Sequence, residues 1–414
     1  MPEDREQSET SPAPLPHCLI AGAGIGGLAA ALFIADAGWR VTICDREPVL
    51  QEVGAGLQLA PNASRLLADI GILDDLDDIA VEPAAIQIWR GEDGKAMSRA
   101  ELGRKAATRF GAPFIVVHRA DLQNALLKRA ETHPAIELRL GLRLADIREN
   151  DTAIAALFEG ADGAEIRLEA DLLVGADGLW SRARTLAGLP APTRYSGKTA
   201  WRTLIPREEA PLFAREADVN LWMGPDAHLV HYPVCGGREI NVVAIIEDEW
   251  REEGWSAPGS PDILASHFRG WSRKARDLIG AADHWKRWAL VDRAPEGRWS
   301  RARMTLLGDA AHPMMPFLAQ GASQAIEDAA ALAALLRPPG AGSTGLAQTL
   351  RRYDALRIPR TARIQKEARR QGSLYHLDGI KARLRDSALQ LLPGDTLLHR
   401  FSWVFDHDAR RPDA

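Results

Sequence analysis

Cysteine is scarce in this chain, which has only three in 414 residues. They are Cys18, Cys44 and Cys235, and no two of them form a C-x-x-C pair. Cys18 and Cys44 fall inside short apolar runs typical of strands, so we expect buried thiols in a reducing compartment. This usage excludes a disulfide-stapled secreted domain and offers no cysteine-based metal site.

Charge of one sign and long apolar runs are also missing. Lys and Arg number 51 against 56 Asp and Glu, a net charge of -5. This balance gives no reason to expect nucleic acid or an anionic membrane as a partner. No apolar run is long enough to predict a membrane span. Residues 1–16 are polar and Pro-rich and lack the pattern of a signal peptide, so we predict a disordered leader and a cytoplasmic protein.

Motifs of two hydrolase classes are absent as well. The sequence contains no H-E-x-x-H zinc motif and no G-x-S-x-G nucleophile turn. Each hydrolase class depends on its motif, because the motif places the reactive groups at a fixed spacing on a helix or a sharp turn. The acidic residues and histidines do not fall at such a ligand spacing, so we predict no metal site.

Glycine, in contrast, is concentrated where a phosphate-binding loop needs it. The apolar run Cys18–Ala21 leads into a G-x-G-x-x-G motif formed by Gly22, Gly24 and Gly27, and a helix-forming stretch follows. Gly22 permits a tight turn, Gly24 lets the backbone approach a pyrophosphate, and Gly27 lets the helix pack on the strand. The helix N-terminus adds free N–H groups and a positive dipole end. The motif therefore predicts a Rossmann-like dinucleotide site.

An acidic residue follows at the distance at which such folds bind ribose. A second apolar run, residues 40–44, ends at Asp45, and this position is about 20 residues beyond the glycines. We predict that its carboxylate accepts hydrogen bonds from ribose hydroxyls. Arg46 could bind a 2′-phosphate, although a solvated surface charge is the simpler account. A nicotinamide dehydrogenase is compatible with this first motif alone.

The order of strand and helix patterns predicts an α/β protein. Residues 17–190 alternate the two patterns, and 191–295 are richer in aromatic and β-branched residues, as is typical of an antiparallel sheet. Residues 296–337 return to the first domain through a strand at 304–307. We predict a helical C-terminal region from residue 338 onward. The expected C-terminal helices are 323–336, 346–367 and 380–392, and the last region is 338–414.

Two further motifs carry a resemblance to a known family. An Asp-Gly pair follows a buried strand at Asp177, and a Gly-Asp pair follows another strand at Asp309. In this order, after the first glycine motif, they resemble the single-component FAD-dependent aromatic hydroxylases, which include salicylate, 3-hydroxybenzoate and 6-hydroxynicotinate hydroxylases. The resemblance covers nearly all residues after the leader. Its most specific segments are 175–184 and 307–328, and the end at 403–408 also resembles this family. The resemblance implies a glutathione-reductase-like FAD-binding domain, an antiparallel β-sheet substrate domain and C-terminal helices.

The resemblance also implies non-covalent FAD as the cofactor, with NADH or NADPH as the electron donor. Asp309 would bind the ribityl chain and Asp45 the adenosine ribose. Arg119 would lie by the FAD phosphates, and Asp177 would support the pyrophosphate region. A helix N-cap is the alternative role for Asp309, and a solvated surface cation is the alternative for Arg119.

Backbone groups are expected to contact the flavin ring from two sides. Val53 and Gly56 would approach the ring through their backbone. A helix entered at Gly321 and Ala322 would point its N-terminus at the pyrimidine end of the ring. Its N–H groups and dipole would then stabilise negative charge on the reduced flavin. An ordinary helix start is the alternative.

The family reaction calls for a base near the substrate. NAD(P)H reduces the flavin, and oxygen then forms a C4a-hydroperoxide that hydroxylates an electron-rich ring. A phenolic ring is more nucleophilic when it is deprotonated. Strand alternation puts His228 and Tyr232 on one face and His231 on the other. The resemblance implies His228 as base or substrate contact and Tyr232 as pocket wall or hydroxyl donor, and a half-exposed structural histidine is the alternative.

Three more residues are expected at the substrate pocket. Gln58 lies where relatives line the flavin or the substrate, and Pro316 and Phe317 match a segment that shapes the pocket over the flavin. We count Pro316 among the reaction-site residues. Phe317 stands where some relatives carry a polar contact, which favours a more apolar pocket. A core aromatic is the alternative for Phe317.

We therefore expect an FAD-dependent, NAD(P)H-consuming monooxygenase that hydroxylates a small aromatic or heteroaromatic compound, with O2 as co-substrate. An FAD oxidoreductase without oxygen insertion is the second hypothesis, and a flavin-binding regulatory protein is the third. The identity of the substrate, the ring position and the choice between NADH and NADPH stay open. The C-terminal helices offer a surface for a homodimer, which also stays open.

Overall fold

The computed structural model describes most of the chain. It covers residues 15–50, 55–189, 192–294, 297–337 and 343–411. Val53 and all of the predicted leader except Leu15 and Pro16 lie outside the described residues.

The strands and helices follow one another in an α/β order. The strands are β1 (His17–Ala21), β2 (Arg40–Asp45), β3 (Gly56–Leu59), β4 (Ala85–Arg90), β5 (Ala96–Glu101), β6 (Ile115–His118), β7 (Ile136–Leu140), β8 (Leu142–Glu149), β9 (Ile154–Gly160), β10 (Glu165–Ala170), β11 (Leu172–Gly175), β12 (Thr193–Pro206), β13 (Val219–Gly224), β14 (Ala227–Val234), β15 (Glu239–Glu247), β16 (Ser256–Gly259), β17 (Trp285–Arg293) and β18 (Met304–Leu306). The helices are α1 (Ile25–Asp36), α2 (Pro61–Asp69), α3 (Ile72–Asp75), α4 (Gly103–Phe110), α5 (Arg119–Thr132), α6 (Arg182–Leu186), α7 (Pro261–His267), α8 (Arg273–Ile279), α9 (Gly321–Leu336), α10 (Ser343–Tyr375), α11 (Gly379–Leu391), α12 (Gly394–Arg400) and α13 (Ser402–Phe405).

A parallel sheet of five strands forms the first layer, in the order β18-β11-β1-β2-β7. Every residue of β1 is buried, because neighbouring strands and packed helices cover it on all sides. This burial explains the continuous apolar run that ends at Ala21. Helix α1, which follows the glycine motif, packs against α9 and α5. The predicted Rossmann-like layer is confirmed.

A larger sheet forms the second layer, in the order β16-β17-β12-β15-β14-β13-β4-β5. Its pairs are antiparallel except for β13 with β4, which is parallel. Strands β4 and β5, residues 85–101, come from the segment 17–190 and yet join the sheet of the segment 191–295. The predicted domain boundaries stay a prediction. The position of β4 and β5 shows that the large sheet includes residues from both sides of the boundary at residue 190.

Two small sheets complete the strand pairing. β3 pairs antiparallel with β6, and β8, β9 and β10 form an antiparallel sheet of three strands. Cys18 and Cys44 are buried free thiols in β1 and β2, as the sequence predicts, and Cys235 is a partly buried free thiol. Burial raises the pKa of the Cys44 thiol to about 12, so it remains protonated and packs as a small apolar side chain.

The C-terminal helices extend beyond their predicted bounds. α9 begins at Gly321, two residues before the expected start, and α10 continues past Glu367 to Tyr375 with Pro359 in its interior. The polar sequence after residue 367 gives no apolar stripe that would reveal this continuation. The extra turns of α10 bring its last residues against β14. Within the described ranges, no helix combines the length and the apolar character needed to cross a membrane.

Buried ion pairs join α9 to α10. The Arg357 guanidinium on α10 donates to Glu327 Oε2 and to Asp328 Oδ1 on α9, at 2.6 Å each. Asn62 on α2 donates to Glu327 Oε1 at 2.6 Å, and Arg360 also bonds Glu327. Burial alone would raise the pKa of Glu327, but Arg357 and Arg360 lower it to about 2. Three helices are thereby tied together through charged groups that water does not reach.

Replacing the central arginine tests this linkage. We expect Arg357→Met to lower the free energy of unfolding by about 3–5 kcal/mol, because two buried carboxylates lose their shared counter-charge. Denaturant titration of the FAD-saturated protein measures the change. Arg351→Met, on the exposed side of the same helix, should change it by less than about 0.5 kcal/mol.

The pH dependence gives a second check on the same network. The pKa of Glu327 falls from 4.5 to about 2 on folding. Its contribution is therefore complete above pH 4.5 and is lost as the pH falls toward 2. A wild-type protein and an Arg357→Met variant with equal stability at neutral pH would contradict the proposed linkage.

Candidate active site

The first glycine motif forms a tight loop between β1 and α1. Gly22 has φ +111°, and a Cβ there would lie 2.4 Å from the carbonyl oxygen of Ala176. A Cβ on Gly27 would lie 1.9 Å from the carbonyl oxygen of Gly22. A Cβ on Gly24 would have no atom within 4 Å, so this side of the loop is open. The loop therefore presents backbone that a large ligand can approach closely.

Asp45 lies at the edge of this loop. Its Oδ2 accepts a hydrogen bond from the backbone N–H of Ala23 at 2.6 Å, and its Oδ1 accepts one from the N–H of Glu47 at 2.9 Å. The carboxylate is thus held where the parallel strands end, as the spacing predicts. Arg46 is exposed and pairs with the Glu47 carboxylate. This arrangement matches the solvated charge that was the alternative for Arg46.

Asp177 caps a short helix beside the same loop. Its Oδ1 accepts a hydrogen bond from the Ser181 hydroxyl at 2.5 Å, and its Oδ2 accepts one from the N–H of Ala183 at 2.9 Å. Burial raises the pKa of this carboxyl group. The geometry gives Asp177 a supporting role: it fixes the start of α6, next to the backbone that packs on Gly22.

Asp309 is more exposed to solvent than Asp177. Its two neighbours in the chain, Gly308 and Ala310, are buried. It lies in a short 3₁₀ turn, Gly308–Ala310, directly after β18. The N–H of Gly308 donates to Asp328 Oδ2 at 2.9 Å, so the buried ion pairs also anchor this turn. Asp309 accordingly presents its carboxylate outward at the end of a parallel strand, as a ribityl contact requires.

Backbone contacts bring the segment before β3 close to Arg119 and to the large sheet. The N–H of Arg119 donates to the carbonyl oxygen of Ala55 at 2.9 Å. The N–H of Gly56 donates to Asn241 Oδ1 at 2.8 Å. A Cβ on Gly56 would lie 2.6 Å from the Tyr232 ring. Glycine is required at position 56 because the strand lies directly on this ring.

Helix α9 begins at Gly321 with its first turn free of acidic residues and without a side-chain cap. A Cβ on Gly321 would have no atom within 4 Å. Its first N–H groups are therefore available to an acceptor, and the dipole favours negative charge there. The open glycine loop, the outward Asp309 and this helix start fit an FAD molecule extended from β1 to α9.

A partly open cavity of about 410 Å³ lies between the large sheet and the C-terminal helices. This size is typical of a small-molecule site. Its wall is mostly apolar, and two basic side chains on it, Arg385 and Arg400, already bond Asp386 and Glu367. The predicted pocket residues that line it are Gln58, His228, Pro316 and Phe317.

His228 is a buried member of this wall, with 2% of its surface exposed. Its Nδ1 lies 2.7 Å from Nε2 of His376. The ring packs edge-on against Phe317 and Tyr375, with centroids 5.4 and 5.3 Å away. Burial, with the nearby His376 and Lys198, lowers the pKa of His228 well below its usual 6.5. His228 is therefore neutral at neutral pH and is not the half-exposed histidine of the alternative.

Tyr232 requires a correction, because it does not lie on the cavity wall. Strand β3 crosses β14 at this point, and Gly56 covers the ring that alternation would otherwise turn toward the cavity. The Tyr232 hydroxyl bonds the side chain of Gln58, which does line the cavity. Tyr232 thus supports Gln58 from behind.

The other two histidines of these motifs have packing roles. His231 is buried on the opposite face of β14, against Trp222 and Phe213, and burial lowers its pKa to about 3. His312 Nε2 lies 2.5 Å from Asp328 Oδ2, so it belongs to the buried ionic cluster. Both histidines therefore have structural positions in the fold.

Sequence reasoning missed the contribution of the end of α10. Gln371 and Tyr375 line the cavity, and His376 contacts His228 from behind. These residues lie in a polar stretch without a motif, and more than 140 positions separate His376 from His228. Sequence spacing could not reveal this contact, because only the packing of α10 on β14 creates it.

Three partly buried side chains bring potential metal-ligating atoms together outside the cavity wall. His118, Asp121 and Cys235 place their ligand atoms within 4.8 Å of one another. The Cys235 thiol donates to Glu239 Oε2 at 3.2 Å, and burial raises the pKa of this thiol to about 12. A protonated thiol is a poor metal ligand. The absence of a metal site stays a prediction.

Known proteins resemble this chain over almost its whole length. The family model described as FAD binding domain matches residues 17–368. A 3-amino-4-hydroxybenzoate 2-monooxygenase of Streptomyces platensis is 38% identical over 396 residues, which is 95% of this chain and 96% of that protein. The 3-hydroxybenzoate 6-hydroxylase 1 of Aquipseudomonas alcaligenes is 37% identical over 389 residues, which is 94% and 96% of the two chains.

Solved structures with the same fold are also similar to this chain over almost its whole length. A salicylate hydroxylase substrate complex superimposes with a TM-score of 0.80 at 26% identity and covers 97% of this chain and 98% of that chain. Klebsiella pneumoniae HpxO, in complex with FAD and uric acid, shares the fold with a TM-score of 0.81 at 24% identity, over 94% and 96% of the two chains. The chain therefore belongs to the FAD-dependent aromatic hydroxylases, a family of flavoprotein monooxygenases.

Proposed function

We propose that this protein uses NAD(P)H and O2 to hydroxylate a small phenolic, hydroxybenzoate-like ring. The observation that carries the proposal is the mostly apolar cavity, whose wall holds the neutral imidazole of His228 beside the start of α9. When bound, FAD supplies the transfer of reducing equivalents from NAD(P)H to oxygen. Relatives named for 3-amino-4-hydroxybenzoate and 3-hydroxybenzoate support this substrate class.

The side chains at the cavity have distinct roles in this proposal. Phe317 and Pro316 hold the ring of the substrate and exclude water. His228 accepts the phenolic proton, which makes the ring more nucleophilic. Gln58, held by Tyr232, hydrogen-bonds a polar group at the opposite side of the cavity. The start of α9 stabilises negative charge on the reduced cofactor.

Isotopic oxygen separates this proposal from its main alternative. With 18O2, NAD(P)H and 3-hydroxybenzoate or 3-amino-4-hydroxybenzoate, mass spectrometry should find one labelled oxygen atom in each product molecule. A reductase without oxygen insertion would leave the label in water or peroxide while its substrate is reduced. That second outcome would replace the hydroxylase with the alternative activity.

Substitution of Asp309 tests the cofactor site. We expect Asp309→Ala to weaken FAD binding about tenfold to hundredfold, because a charged acceptor for the ribityl hydroxyls is lost. Fluorescence titration of the apoprotein with FAD measures the affinity. Asp283→Ala removes an equally exposed acid far from the proposed cofactor site and should bind FAD like the wild type. Unchanged affinity in Asp309→Ala would remove this residue from the site.

Substitution of His228 tests the base. His228→Gln should retain FAD and hydroxylate about 100-fold more slowly, the usual loss for a general base. The lowered pKa of His228 keeps wild-type turnover level as the pH falls through 6.5, whereas turnover of the variant should rise with pH as free phenolate forms. His284→Gln, at an exposed position, is the control. The same rate and pH profile in His228→Gln and wild type would exclude a role as base.

A further inference from the structure

A second buried histidine lies directly behind the proposed base. His376 follows the last residue of α10, and its Nε2 is 2.7 Å from Nδ1 of His228. The side chain of His376 is 5% exposed, so both imidazoles are shielded from water. The two nitrogens of an imidazole are separated by one carbon, and their N–H bonds or lone pairs point in divergent directions. The contact with His376 therefore leaves Nε2 of His228 for the cavity that His228 lines.

The chain of contacts continues from His376 to the surface. Nδ1 of His376 lies 3.8 Å from Oε1 of Glu247, and it has no hydrogen-bond partner among the described residues. The Glu247 side chain is 51% exposed and forms an ion pair with Lys198. A line of polar groups thus runs from the cavity through two buried rings to the surface, with one gap of 3.8 Å between His376 and Glu247.

The carboxylate at the end of this line determines which nitrogens carry protons. An ionised carboxylate attracts the positive end of an N–H bond, so Glu247, 3.8 Å from Nδ1, favours the tautomer of His376 that carries its proton on Nδ1. Nε2 of His376 must then accept, and Nδ1–H of His228 donates to it. Nε2 of His228 is left unprotonated and faces the cavity as an acceptor. The exposed acid therefore orients His228 as a base toward the substrate.

The two buried imidazoles bind a proton weakly. Burial, with the charge on Lys198, lowers the pKa of His376 to about 4, and burial also lowers that of His228. Either ring would therefore hold a proton taken from a phenol only weakly. The Tyr375 hydroxyl, the other polar group packed on His228, donates to the carbonyl oxygen of Phe317 at 3.3 Å. Arg385 and Arg400 on the cavity wall are cations and accept no proton.

We propose that His376 and Glu247 form the proton exit of the active site. The proposal rests on the proposed hydroxylation of a phenolic ring. The phenol O–H bond breaks and its proton binds Nε2 of His228. The proton on Nδ1 of His228 passes to Nε2 of His376, and the proton on Nδ1 of His376 passes to Glu247 and then to water. No other co-reactant is required. The transfer leaves both imidazoles in the opposite tautomer, and a proton that enters from water along the same line and protonates the product phenolate restores the starting tautomers.

Proton release by the oxidised holoenzyme tests this exit without turnover. The protein is mixed with 3-hydroxybenzoate in a stopped-flow instrument without NAD(P)H. Ultraviolet absorbance follows the phenolate, a pH-indicator dye follows the proton, and the flavin spectrum follows binding. We expect His376→Gln to bind the probe like wild type and to release the proton at least about tenfold more slowly, since glutamine hydrogen-bonds but does not relay a proton.

Further variants separate proton transfer from packing. Glu247→Gln should slow release less than His376→Gln does, because both imidazoles remain and only the final proton acceptor is lost. Added imidazole should restore release in His376→Ala but leave His228→Gln unchanged. The controls are His267→Gln and Glu249→Gln, two exposed positions that should behave like wild type.

The outcomes distinguish the exit from the function on which it rests. Equal release rates in His376→Gln and wild type, with the probe bound, would overturn the exit and leave the hydroxylase intact. Slow release that imidazole fails to restore would assign His376 to packing and overturn the exit as well. A wild type that neither binds nor hydroxylates phenolic probes would overturn the proposed function, and the exit would fall with it. If His376→Gln loses FAD, the Glu247→Gln rate decides.

Discussion

The rest of the structure depends on the buried ion pairs that Arg357 makes with Glu327 and Asp328. They fix α10 on α9, and Asp328 also holds Gly308 and His312. The turn that carries Asp309 and the helix α9 are therefore positioned by one cluster. An unpaired buried charge would cost several kcal/mol, so the loss of one partner destabilises the packing of α10 on α9.

The active site is assembled from three distant parts of the chain. The glycine loop and Asp45 come from the start, the cavity wall around His228 comes from the large sheet, and Tyr375 and His376 come from the end of α10. Two strands of the first segment join the large sheet and so lock the two layers into one body. This arrangement places His376 and Glu247, the proposed proton exit, behind a mostly apolar cavity.

Burial lowers the pKa values of the two histidines at the site more than the neighbouring charges do. It lowers the pKa of His228 and His376, so both rings are neutral where a base is needed. The same burial keeps His231 neutral on the opposite face, where it only packs. Access to the cavity and the partner on the second ring nitrogen, rather than the pKa alone, distinguish the proposed base from its neighbour.

The sequence by itself determined the cofactor half of this protein. The glycine loop and Asp45 are local motifs whose spacing predicts a dinucleotide site. The Gly308-Asp309 pair added the resemblance to the FAD-dependent hydroxylases. Only the tertiary structure decided the substrate half. Gly56 displaced Tyr232 from the cavity wall, and α10 brought His376 to His228 from 148 positions away. Such contacts depend on how whole elements pack, and no local pattern in one sequence records that packing.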